Sequence, residues 1–367
     1  MGWWLSSLRG LGDQAFPDVY AAYDGLRHGN RAATARQSEK FTQYDGLVAQ
    51  AGADLDPRGD TLQSASGLER FAACPFGYYL QKGLGLEAPE EDGPDPDVWL
   101  DPMSRGDLLH RIYSGFLRLL RAEGRRPAES DWNVLWTIAE QRLDEFRREI
   151  PPLSESVYKA EIDQLERDLR LFLKLEAERR DVQTVAVEVP FGFGEPDPEE
   201  PLSRSDPVLI QIGGSQQIRV RGRIDRIDRR RDGSYEVIDY KTGTLWRPHF
   251  RNEFDRGTLL QHAIYAEAAR NILGPKARVA QSSYYFCTEK GWGEWIRKPG
   301  QLDAKPVLAA IAEAMGAGAF LRGTDGSGCK YCDFSRACPD GEVEGAGPKA
   351  EDSNPGVVAL KRLAQYE

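Results

Sequence analysis

Two aspartates and one lysine stand close to one another in two adjacent predicted strands. Asp225 lies in GRIDRID, and Asp239 and Lys241 lie in VIDYKTG, so the spacing is D-x13-D-x-K. Alternation along a strand places Asp239 and Lys241 on the same face. Asp232 and Gly233 between the two stretches predict a tight hairpin turn. Such a hairpin would bring Asp225 near Asp239.

These three side chains indicate hydrolytic metal chemistry. Two neighbouring carboxylates repel each other unless a cation neutralises them. Mg²⁺ suits this role because it prefers oxygen ligands and keeps water molecules for substrate phosphates. Lys241 would then orient or help to deprotonate an attacking water and stabilise charge on the phosphate. The simpler interpretation is an exposed ion pair, because an Asp and a Lys two residues apart on a strand are common.

The cysteines form a second group with metal-binding spacing. Cys329, Cys332 and Cys338 follow the pattern C-x2-C-x5-C. In a reducing compartment such crowding predicts a metal rather than disulfides. Zinc or a [4Fe–4S] cluster requires four thiolates, so Cys74 or Cys287 would supply the fourth. Cys287 lies in the apolar stretch YYFCTE and is also explained as a small buried hydrophobic residue.

The elements that would position these residues are helices in the first half of the chain and mixed elements in the second. Apolar periodicity predicts helices at 18–41, 64–84, 103–124, 131–149, 154–180, 257–273 and 304–318, with a short final helix. Ser64 or Ser66 would cap the second of these helices. Two-residue alternation predicts strands in QTVAVEVPFGF, PVLIQIG, QQIRVRGRIDRIDRR, GSYEVIDYKTG, QSSYYFCTEKG and GEWIRK.

Composition excludes some classes of protein. The 367 residues carry a net charge of −10, which argues against non-specific coating of nucleic acid but allows a local basic groove. No apolar run approaches the ~20 residues of a membrane span, and the N-terminus does not resemble a signal peptide. We therefore expect a soluble, cytoplasmic protein without a membrane partner. No G-x-x-x-x-G-K-[ST] loop is present, so this chain would not drive DNA unwinding by itself.

The stretches GRIDRID, VIDYKTG and LLQHAIYA together resemble the PD-(D/E)XK nuclease superfamily. More narrowly, they resemble the nuclease domain of the AddB and RecB subunits of bacterial helicase–nucleases. The resemblance covers about residues 64–340. It implies an α/β fold with a restriction-endonuclease-like core, in which helices flank a central mixed β-sheet, and a large helical N-terminal part. It also implies that Asp225, Asp239 and Lys241 form the metal-binding and catalytic core.

Further positions of the family pattern are filled. The resemblance implies that His110 in GDLLH joins the metal site and that Glu188 in VEVPF belongs to the catalytic set. The main-chain carbonyl of Tyr240 would complete the metal shell. Gln261 and Tyr265 match the family's Q-x-x-x-Y helix. Each residue also has a structural explanation, as a polar helix residue, a solvent-facing strand residue or a packing residue.

The same resemblance selects the fourth cysteine. Iron–sulfur members of the family carry one cysteine in C-P-F near the start of the domain and three after the last helix. This pattern implies that Cys74, Cys329, Cys332 and Cys338 hold a [4Fe–4S] cluster in preference to Zn²⁺. The cluster would act as a staple that joins the N- and C-terminal segments, and closing so long a loop has a large entropic benefit.

Some stretches of the sequence are basic enough to bind DNA, although the chain as a whole is acidic. RGRIDRIDRRR contains six arginines against two aspartates, and aromatic residues alternate with arginines after VIDYKTG. Phosphate contacts and base stacking are the means by which proteins bind single strands. The residues expected to contact DNA are Arg118, Arg121, Arg221, Arg223, Arg226, Trp246, Arg247 and Arg251.

The sequence therefore predicts a deoxyribonuclease that depends on Mg²⁺ or Mn²⁺. We expect an exonuclease acting on single-stranded DNA ends, in recombinational double-strand break repair or in degradation of foreign DNA, with a helicase subunit or domain as a possible partner. The alternatives are a non-catalytic iron–sulfur scaffold of a helicase–nuclease complex and a CRISPR-adaptation-type iron–sulfur exonuclease. The expected organisation is a helical connector at 1–60, the nuclease domain at 61–340 and an acidic, Gly-rich tail at 341–367.

Overall fold

A computed structural model describes residues 23–87, 95–323, 329, 332–338 and 347–367. The described residues divide into two compact units. The larger unit comprises residues 58–69, 95–308 and 366–367, and the smaller comprises the described residues of 23–57, 70–87 and 309–365. Every residue of the predicted D-x13-D-x-K site lies in the larger unit, whereas the four cysteines of the predicted cluster lie in the smaller one.

Most of the described helices lie where helices were predicted, except Ala49–Leu55, for which none was predicted. They are α1 (Asp24–Gln37), α2 (Ala49–Leu55), α3 (Ala65–Ala73), α4 (Pro75–Tyr78), α5 (Pro102–Ala122), α6 (Trp132–Glu149), α7 (Glu155–Glu178), α8 (Gln261–Leu273), α9 (Lys305–Gly316) and α10 (Pro355–Leu363). Ser64 caps α3 by accepting the Gly67 N–H at 3.1 Å. The predicted helix at 64–84 breaks at Cys74, whose φ of −158° is extended. Among the described helices, none combines the length and apolar character that crossing a bilayer requires.

The strands form a central sheet and a small one. They are β1 (Leu62–Gln63), β2 (Val182–Phe191), β3 (Val208–Gly213), β4 (Gln216–Val220), β5 (Gly222–Arg230), β6 (Tyr235–Tyr240), β7 (Val279–Phe286) and β8 (Glu294–Pro299). The central sheet has the order β2-β5-β6-β7-β8, and the small sheet has the order β1-β4-β3. The β6–β7 pair is parallel, whereas the other pairs of the central sheet are antiparallel. This mixed sheet, packed against helices, confirms the predicted fold class.

The stretch 216–230 was predicted as one strand and is two. The chain leaves the small sheet at Arg221, whose N–H donates to the Gln63 carbonyl at 2.8 Å, and enters the central sheet at Gly222. A Cβ atom at Gly222 would lie 3.0 Å from Phe191 and 3.1 Å from Tyr265. Glycine therefore allows the strand to pass close to two aromatic rings as it changes sheets.

The hairpin between β5 and β6 fixes the pairing of these strands and so the relative positions of Asp225 and Asp239. Gly233 has a φ of +78°, and the turn joins strands in which Arg226 pairs with Ile238. The predicted tight turn is therefore confirmed. One step further along this register, Asp225 stands opposite Asp239 on the same face, because residues paired across strands project together. A one-residue slip would send the two side chains to opposite faces.

A buried ionic network ties α7 to the central sheet. Arg226 is 1% exposed and lies 2.8 Å from Glu176 and 2.7 Å from Asp228. Arg179 lies 2.6 Å from Asp228 and 3.0 Å from Glu236. Burial raises the pKa of the Asp228 carboxyl, but Arg226 and Arg179 lower it further, so the net pKa lies below its ordinary value. Arg226 was predicted to contact DNA, and this prediction is wrong because its guanidinium is enclosed by acidic partners.

Lys349 joins several segments of the smaller unit by hydrogen bonds. The buried Nζ atom of Lys349 donates to the carbonyls of Ala35, Ser38 and Lys40 at 2.9, 2.8 and 2.9 Å, where α1 ends. It also lies 3.1 Å from Asp45. The short final helix predicted from the sequence is present as α10. Lys349 therefore satisfies carbonyl groups that a helix end leaves without partners.

Replacing Arg226 by alanine should destabilise the larger unit strongly. The substitution leaves buried carboxylates without their cation, so we expect a loss of about 3–5 kcal/mol in the free energy of unfolding. Urea denaturation followed by circular dichroism measures it. The matched control is Arg229→Ala, an exposed position on the same strand, where a change within about 0.5 kcal/mol is expected. Equal effects of the two substitutions would contradict the role assigned to the network.

Candidate active site

Three predicted site residues converge at one edge of the central sheet. The His110 Nδ1 atom lies 3.2 Å from the Glu188 carboxylate and 3.7 Å from the Asp225 carboxylate. Each residue offers one ligand atom, and these atoms lie within 4.8 Å of one another; within the described part of the chain, no other group of three or more His, Cys, Asp and Glu side chains meets this criterion. His110 comes from α5, Glu188 from β2 and Asp225 from β5. The arrangement is therefore built from three distant parts of the sequence.

Glu188 has an unusual backbone conformation. Its φ is +50°, in the left-handed region, although it lies inside strand β2. A non-glycine residue there costs roughly 1–2 kcal/mol. Its neighbours Val187 and Val189 keep their pairing with Arg226 and Ile224 of β5. The flanking ladder thus holds the strained residue in place, and the strain coincides with the residue that contacts His110.

The crowded carboxylates alter one another's protonation. Burial raises the pKa of Asp225, His110 lowers it, and Asp239 and Glu188 raise it, for a net value of about 7. Burial lowers the pKa of His110, but Asp225, Glu188 and Asp239 together raise it to about 9. The Tyr240 N–H donates to Asp225 at 2.7 Å. Without a metal ion, the imidazolium of His110 is therefore one cation that stabilises this cluster at neutral pH.

Lys241 is held between two polar partners. Its Nζ atom lies 2.6 Å from the Asp239 carboxylate and donates to the Gln261 side-chain oxygen at 2.6 Å. Its backbone N–H donates to the Tyr285 carbonyl at 2.9 Å, which continues the pairing beyond the end of β6. Burial lowers the pKa of Lys241, yet Asp239 raises it further, and the net pKa is above its ordinary value. The amine is thus charged and fixed beside the carboxylate cluster.

Helix α8 carries two predicted residues and begins later than expected. The sequence predicted a start at 257, whereas the helix begins at Gln261. Tyr265 lies one turn further, in an edge-to-face contact with Phe191 at 6.4 Å between ring centroids. Burial raises the pKa of Tyr265, and so do the charges of Asp239, Asp225, Glu69 and Glu188, in that order. Its hydroxyl is therefore neutral and surrounded by four carboxylates.

Sequence reasoning missed one residue of this neighbourhood, Glu69. One carboxylate oxygen of Glu69 accepts the N–H groups of Leu260 and Gln261 at 2.6 and 2.9 Å. Burial raises the pKa of Glu69 to about 7, against the opposing effect of those N–H donors and of Lys241. Nothing in SGLERF distinguishes this glutamate from a surface residue of α3. The contact spans 191 residues of sequence, a separation across which periodicity carries no signal.

The donor set suits a hard divalent cation. One imidazole nitrogen with carboxylate oxygens from Glu188 and Asp225 fits Mg²⁺ or Mn²⁺. A metal requires a neutral imidazole and ionised carboxylates, so binding would displace the proton that His110 holds in the metal-free protein. Asp239 stands opposite Asp225 and is engaged by Lys241.

Two of the four predicted cluster cysteines are held by backbone donors. The Cys74 sulfur accepts the Gly77 N–H at 3.4 Å, and the Cys332 sulfur accepts the Phe334 N–H at 3.4 Å. Arg70, one turn before Cys74, lies 2.9 Å from Asp333. This ion pair brings the segments of Cys74 and Cys332 together within the smaller unit. Cys329 and Cys338 belong to the same segment as Cys332.

Cys287, the other candidate from the sequence, is a core residue. It is fully buried in the larger unit. Burial raises the pKa of its thiol to about 12, although a hydrogen bond with Tyr113 lowers it. A thiol that resists ionisation is a poor metal ligand, because the thiolate is the ligand form. The interpretation of Cys287 as a small hydrophobic residue thus agrees with the structure.

The arginines predicted to contact DNA divide into internal and exposed ones. Arg121 donates to the Val185 carbonyl and to the buried Glu200, and Arg118 lies 3.2 Å from Glu199. Arg226 is enclosed and Arg121 pairs with a buried carboxylate, whereas Arg118 is 26% exposed and pairs with a glutamate that is 74% exposed, so its contact with DNA stays a prediction. By contrast, the Arg223 side chain is 58% exposed and lies 3.6 Å from Glu188.

Two exposed aromatic residues lie next to arginines that were predicted to contact DNA. Arg221 lies over the ring of Phe193 at 5.8 Å, and Phe193 is 53% exposed on a turn after β2. Trp246 is 69% exposed, and its neighbour Arg247 lies 2.8 Å from Glu294. Arg251 is also exposed. These side chains are available to a ligand.

Comparison with known proteins adds independent information. A model of the PD-(D/E)XK nuclease superfamily matches residues 63–339. A protein of Acetivibrio thermocellus that is named as a subunit of an ATP-dependent helicase/deoxyribonuclease is 30% identical over 193 residues, which are 50% of this chain and 15% of that protein. Proteins with the same name from Moorella thermoacetica and Symbiobacterium thermophilum are 28% and 30% identical over 66% and 62% of this chain. The chain spans 21% and 20% of those two relatives.

The metal-free protein should hold a proton on His110 well above neutral pH. Because Asp225, Glu188 and Asp239 stabilise the imidazolium, its NMR titration midpoint should lie near 9. The stability that protonated His110 contributes is complete below about pH 6.5 and is lost as pH rises through about 9. Glu188→Gln should lower the midpoint, whereas Glu199→Gln, whose side chain is 74% exposed, should not. A midpoint at or below about 6.5 would contradict this electrostatic account.

Proposed function

This chain belongs to the PD-(D/E)XK nuclease superfamily, and from that premise we propose that it is a Mg²⁺- or Mn²⁺-dependent exonuclease acting on single-stranded DNA ends. The observation that carries the proposal is the meeting of His110, Glu188 and Asp225 within 4.8 Å. A fixed, charged Lys241 lies beside Asp239, which stands opposite Asp225. PD-(D/E)XK nucleases use a divalent metal, and this donor set fits one.

Each residue of the site has a distinct role in the proposal. His110, Asp225, Asp239 and the Tyr240 carbonyl would hold the ion, and Glu188 would complete the acidic set. A bound divalent ion supplies positive charge that lowers the pKa of a water molecule and offsets charge on a phosphate. Glu188 and Asp225 would both be ionised once a metal replaces the proton on His110.

Lys241 acts on the phosphate in this proposal. Its raised pKa keeps the amine protonated, so it donates to a phosphate oxygen and stabilises the charge that develops in the transition state. Gln261 fixes the direction of the amine through the 2.6 Å hydrogen bond. Tyr265, neutral and half-buried, contributes a hydroxyl and a packing surface rather than a base.

The exposed aromatic and basic residues form the proposed DNA path. Bases stack on aromatic rings without regard to sequence, and arginines contact the phosphates. Phe193 with Arg221, and Arg223 beside Glu188, would lie on one side of the site. Trp246, with Arg247 and Arg251, would supply a second stacking point. Such a path suits a single strand better than a duplex, because stacking on protein rings requires unpaired bases.

The cysteines are proposed to hold a [4Fe–4S] cluster rather than zinc. Backbone N–H donors to sulfur, as at Cys74 and Cys332, stabilise negative charge on thiolates. The Arg70–Asp333 ion pair keeps the two cysteine segments adjacent. The cluster would then have a structural role as a staple within the smaller unit.

The relatives suggest the biological setting. They are named as subunits of helicase/deoxyribonucleases, so we propose that this chain works with a helicase subunit or domain in double-strand break repair or degradation of foreign DNA. We also propose that 61–340 is the nuclease domain, that 1–60 is a connector, that 341–367 is a tail, and that the protein acts in the cytoplasm. A purely scaffolding role is less favoured, because all the acidic, basic and amide residues of the family pattern are present.

Hydrolysis of labelled single strands tests the proposed activity. Wild-type protein with Mg²⁺ should shorten 5′- or 3′-labelled oligonucleotides, and EDTA should stop the reaction. Asp239→Ala and Lys241→Ala should each lower the rate by at least about 100-fold, because the first removes a proposed metal ligand and the second removes positive charge at the reacting phosphate. Asp163→Asn, at an exposed position of α7, is the matched control. Full activity of Asp239→Ala would refute the site.

Metal analysis distinguishes the cluster from zinc. Anaerobically purified protein should be brown and contain about four iron atoms per chain. Cys332→Ser should lower the iron content, whereas Cys287→Ala should not, because Cys287 is buried in the larger unit. A colourless protein with about one zinc ion per chain would contradict the cluster.

A further inference from the structure

We propose that Glu69 is a positioning residue for the nuclease reaction: its carboxylate fixes the start of α8, so that Gln261 holds the Lys241 amine at the reacting phosphate. This inference rests on the proposed function. It concerns a residue on α3 that belongs to neither the predicted catalytic set nor the predicted metal ligands.

The start of α8 lacks a cap of its own. The first N–H groups of a helix have no partner within the helix. The N-cap residue is Leu260, whose side chain cannot accept a hydrogen bond. Glu69 fills this role with one oxygen that accepts both Leu260 N–H and Gln261 N–H. A carboxylate at this end also interacts favourably with the helix dipole.

Gln261 links Glu69 to Lys241. Its backbone N–H is held by Glu69, and its side chain contacts Lys241. Gln261 gives its N–H to Glu69 at 2.9 Å and accepts the Lys241 amine at 2.6 Å. Lys241 in turn lies 2.6 Å from Asp239. These contacts form a continuous chain from α3 through α8 to β6. A shift of the α8 start would therefore move the acceptor that directs the amine.

A carboxylate is a costly choice at this position, which argues for a specific role. Burial raises the pKa of Glu69 to about 7, so the ionised form is disfavoured by its surroundings. Asp239 raises the pKa as well, whereas Lys241 lowers it. An amide or hydroxyl would cap α8 with less desolvation. The charge of Glu69 instead adds an attractive interaction with Lys241, which keeps the amine near the acidic cluster.

The kinetic test separates positioning from folding. Glu69→Ala should lower kcat on a single-stranded oligonucleotide by about 10- to 100-fold, because a misdirected catalytic group costs that much. KM for DNA should change less than about twofold, since Glu69 does not lie on the proposed DNA path. Glu69→Gln keeps the shape and one acceptor oxygen, so it should recover part of the rate. Glu267→Ala, a partly exposed carboxylate on α8, should have no effect.

A double-mutant cycle tests the route of the effect. If Glu69 acts through Gln261 and Lys241, adding Glu69→Ala to Lys241→Ala should lower the residual rate no further. Mn²⁺ affinity, measured by calorimetry, should be the same in Glu69→Ala and in wild type. Multiplicative rate losses, or a loss of Mn²⁺ binding, would overturn the positioning role.

Stability and activity controls keep the two proposals distinguishable. If Glu69→Ala fails to fold by circular dichroism, Glu69→Gln decides: a rate and a melting temperature equal to those of wild type would support capping by shape alone and overturn the proposal. An inactive wild-type protein would refute the proposed nuclease function itself. Full kcat in Glu69→Ala, with active wild type and inactive Asp239→Ala, would refute only the role of Glu69.

Discussion

The main physical constraint on this structure is a cluster of carboxylates with little exposure to solvent near Tyr265. Around Tyr265 lie Asp239, Asp225, Glu69 and Glu188, and the basic side chains that face them are His110 and Lys241. Full ionisation would thus leave more negative than positive charge, and metal binding would add to this excess by displacing the His110 proton, so a divalent cation would offset part of it. In the metal-free protein, burial raises the pKa values of Asp225 and Glu69, and the neighbouring Asp239 raises both of them further. The acidic cluster is therefore unstable as a fully charged group and stable once a cation enters.

Bringing these groups together requires register as well as sequence spacing. The hairpin at Asp232 and Gly233 has a fixed length, so the 13 residues between Asp225 and Asp239 translate into positions opposite each other. That part was predictable, because turn chemistry and two-residue alternation are local properties. The helix boundaries were predictable to a few residues for the same reason. The left-handed conformation of Glu188 was not, because it arises where the ladder with β5 holds a residue against its own preference. The contact of Glu69 with the start of α8 was also not predictable, since it joins segments 191 residues apart.

The arginines show why charge in a sequence is an unreliable guide to a binding surface. RGRIDRIDRRR alternates between two faces of the sheet, and one face packs beneath α7. Arg226 falls on that face and neutralises Glu176 and Asp228, whereas Arg223 falls on the other and remains exposed next to Glu188. Arg118 and Arg121 of α5 likewise pair with Glu199 and Glu200 in the loop after β2. An acidic protein can thus use many of its arginines for internal pairing and keep a small basic surface at the site.

Lys241 shows how contacts from different elements fix the orientation of a flexible side chain. An amine on four flexible bonds has no preferred direction, and a neighbouring Asp239 fixes its distance but not its angle. The second acceptor, Gln261, comes from another element and supplies the angle. That acceptor is only as rigid as the start of α8, which has no local cap. The first N–H groups of α8 are instead held from other elements, by Glu69 of α3 and by the Tyr284 hydroxyl, which accepts the His262 N–H at 3.2 Å. The position of the Lys241 amine thus depends on contacts between α3, α8 and β6, which are distant in the sequence.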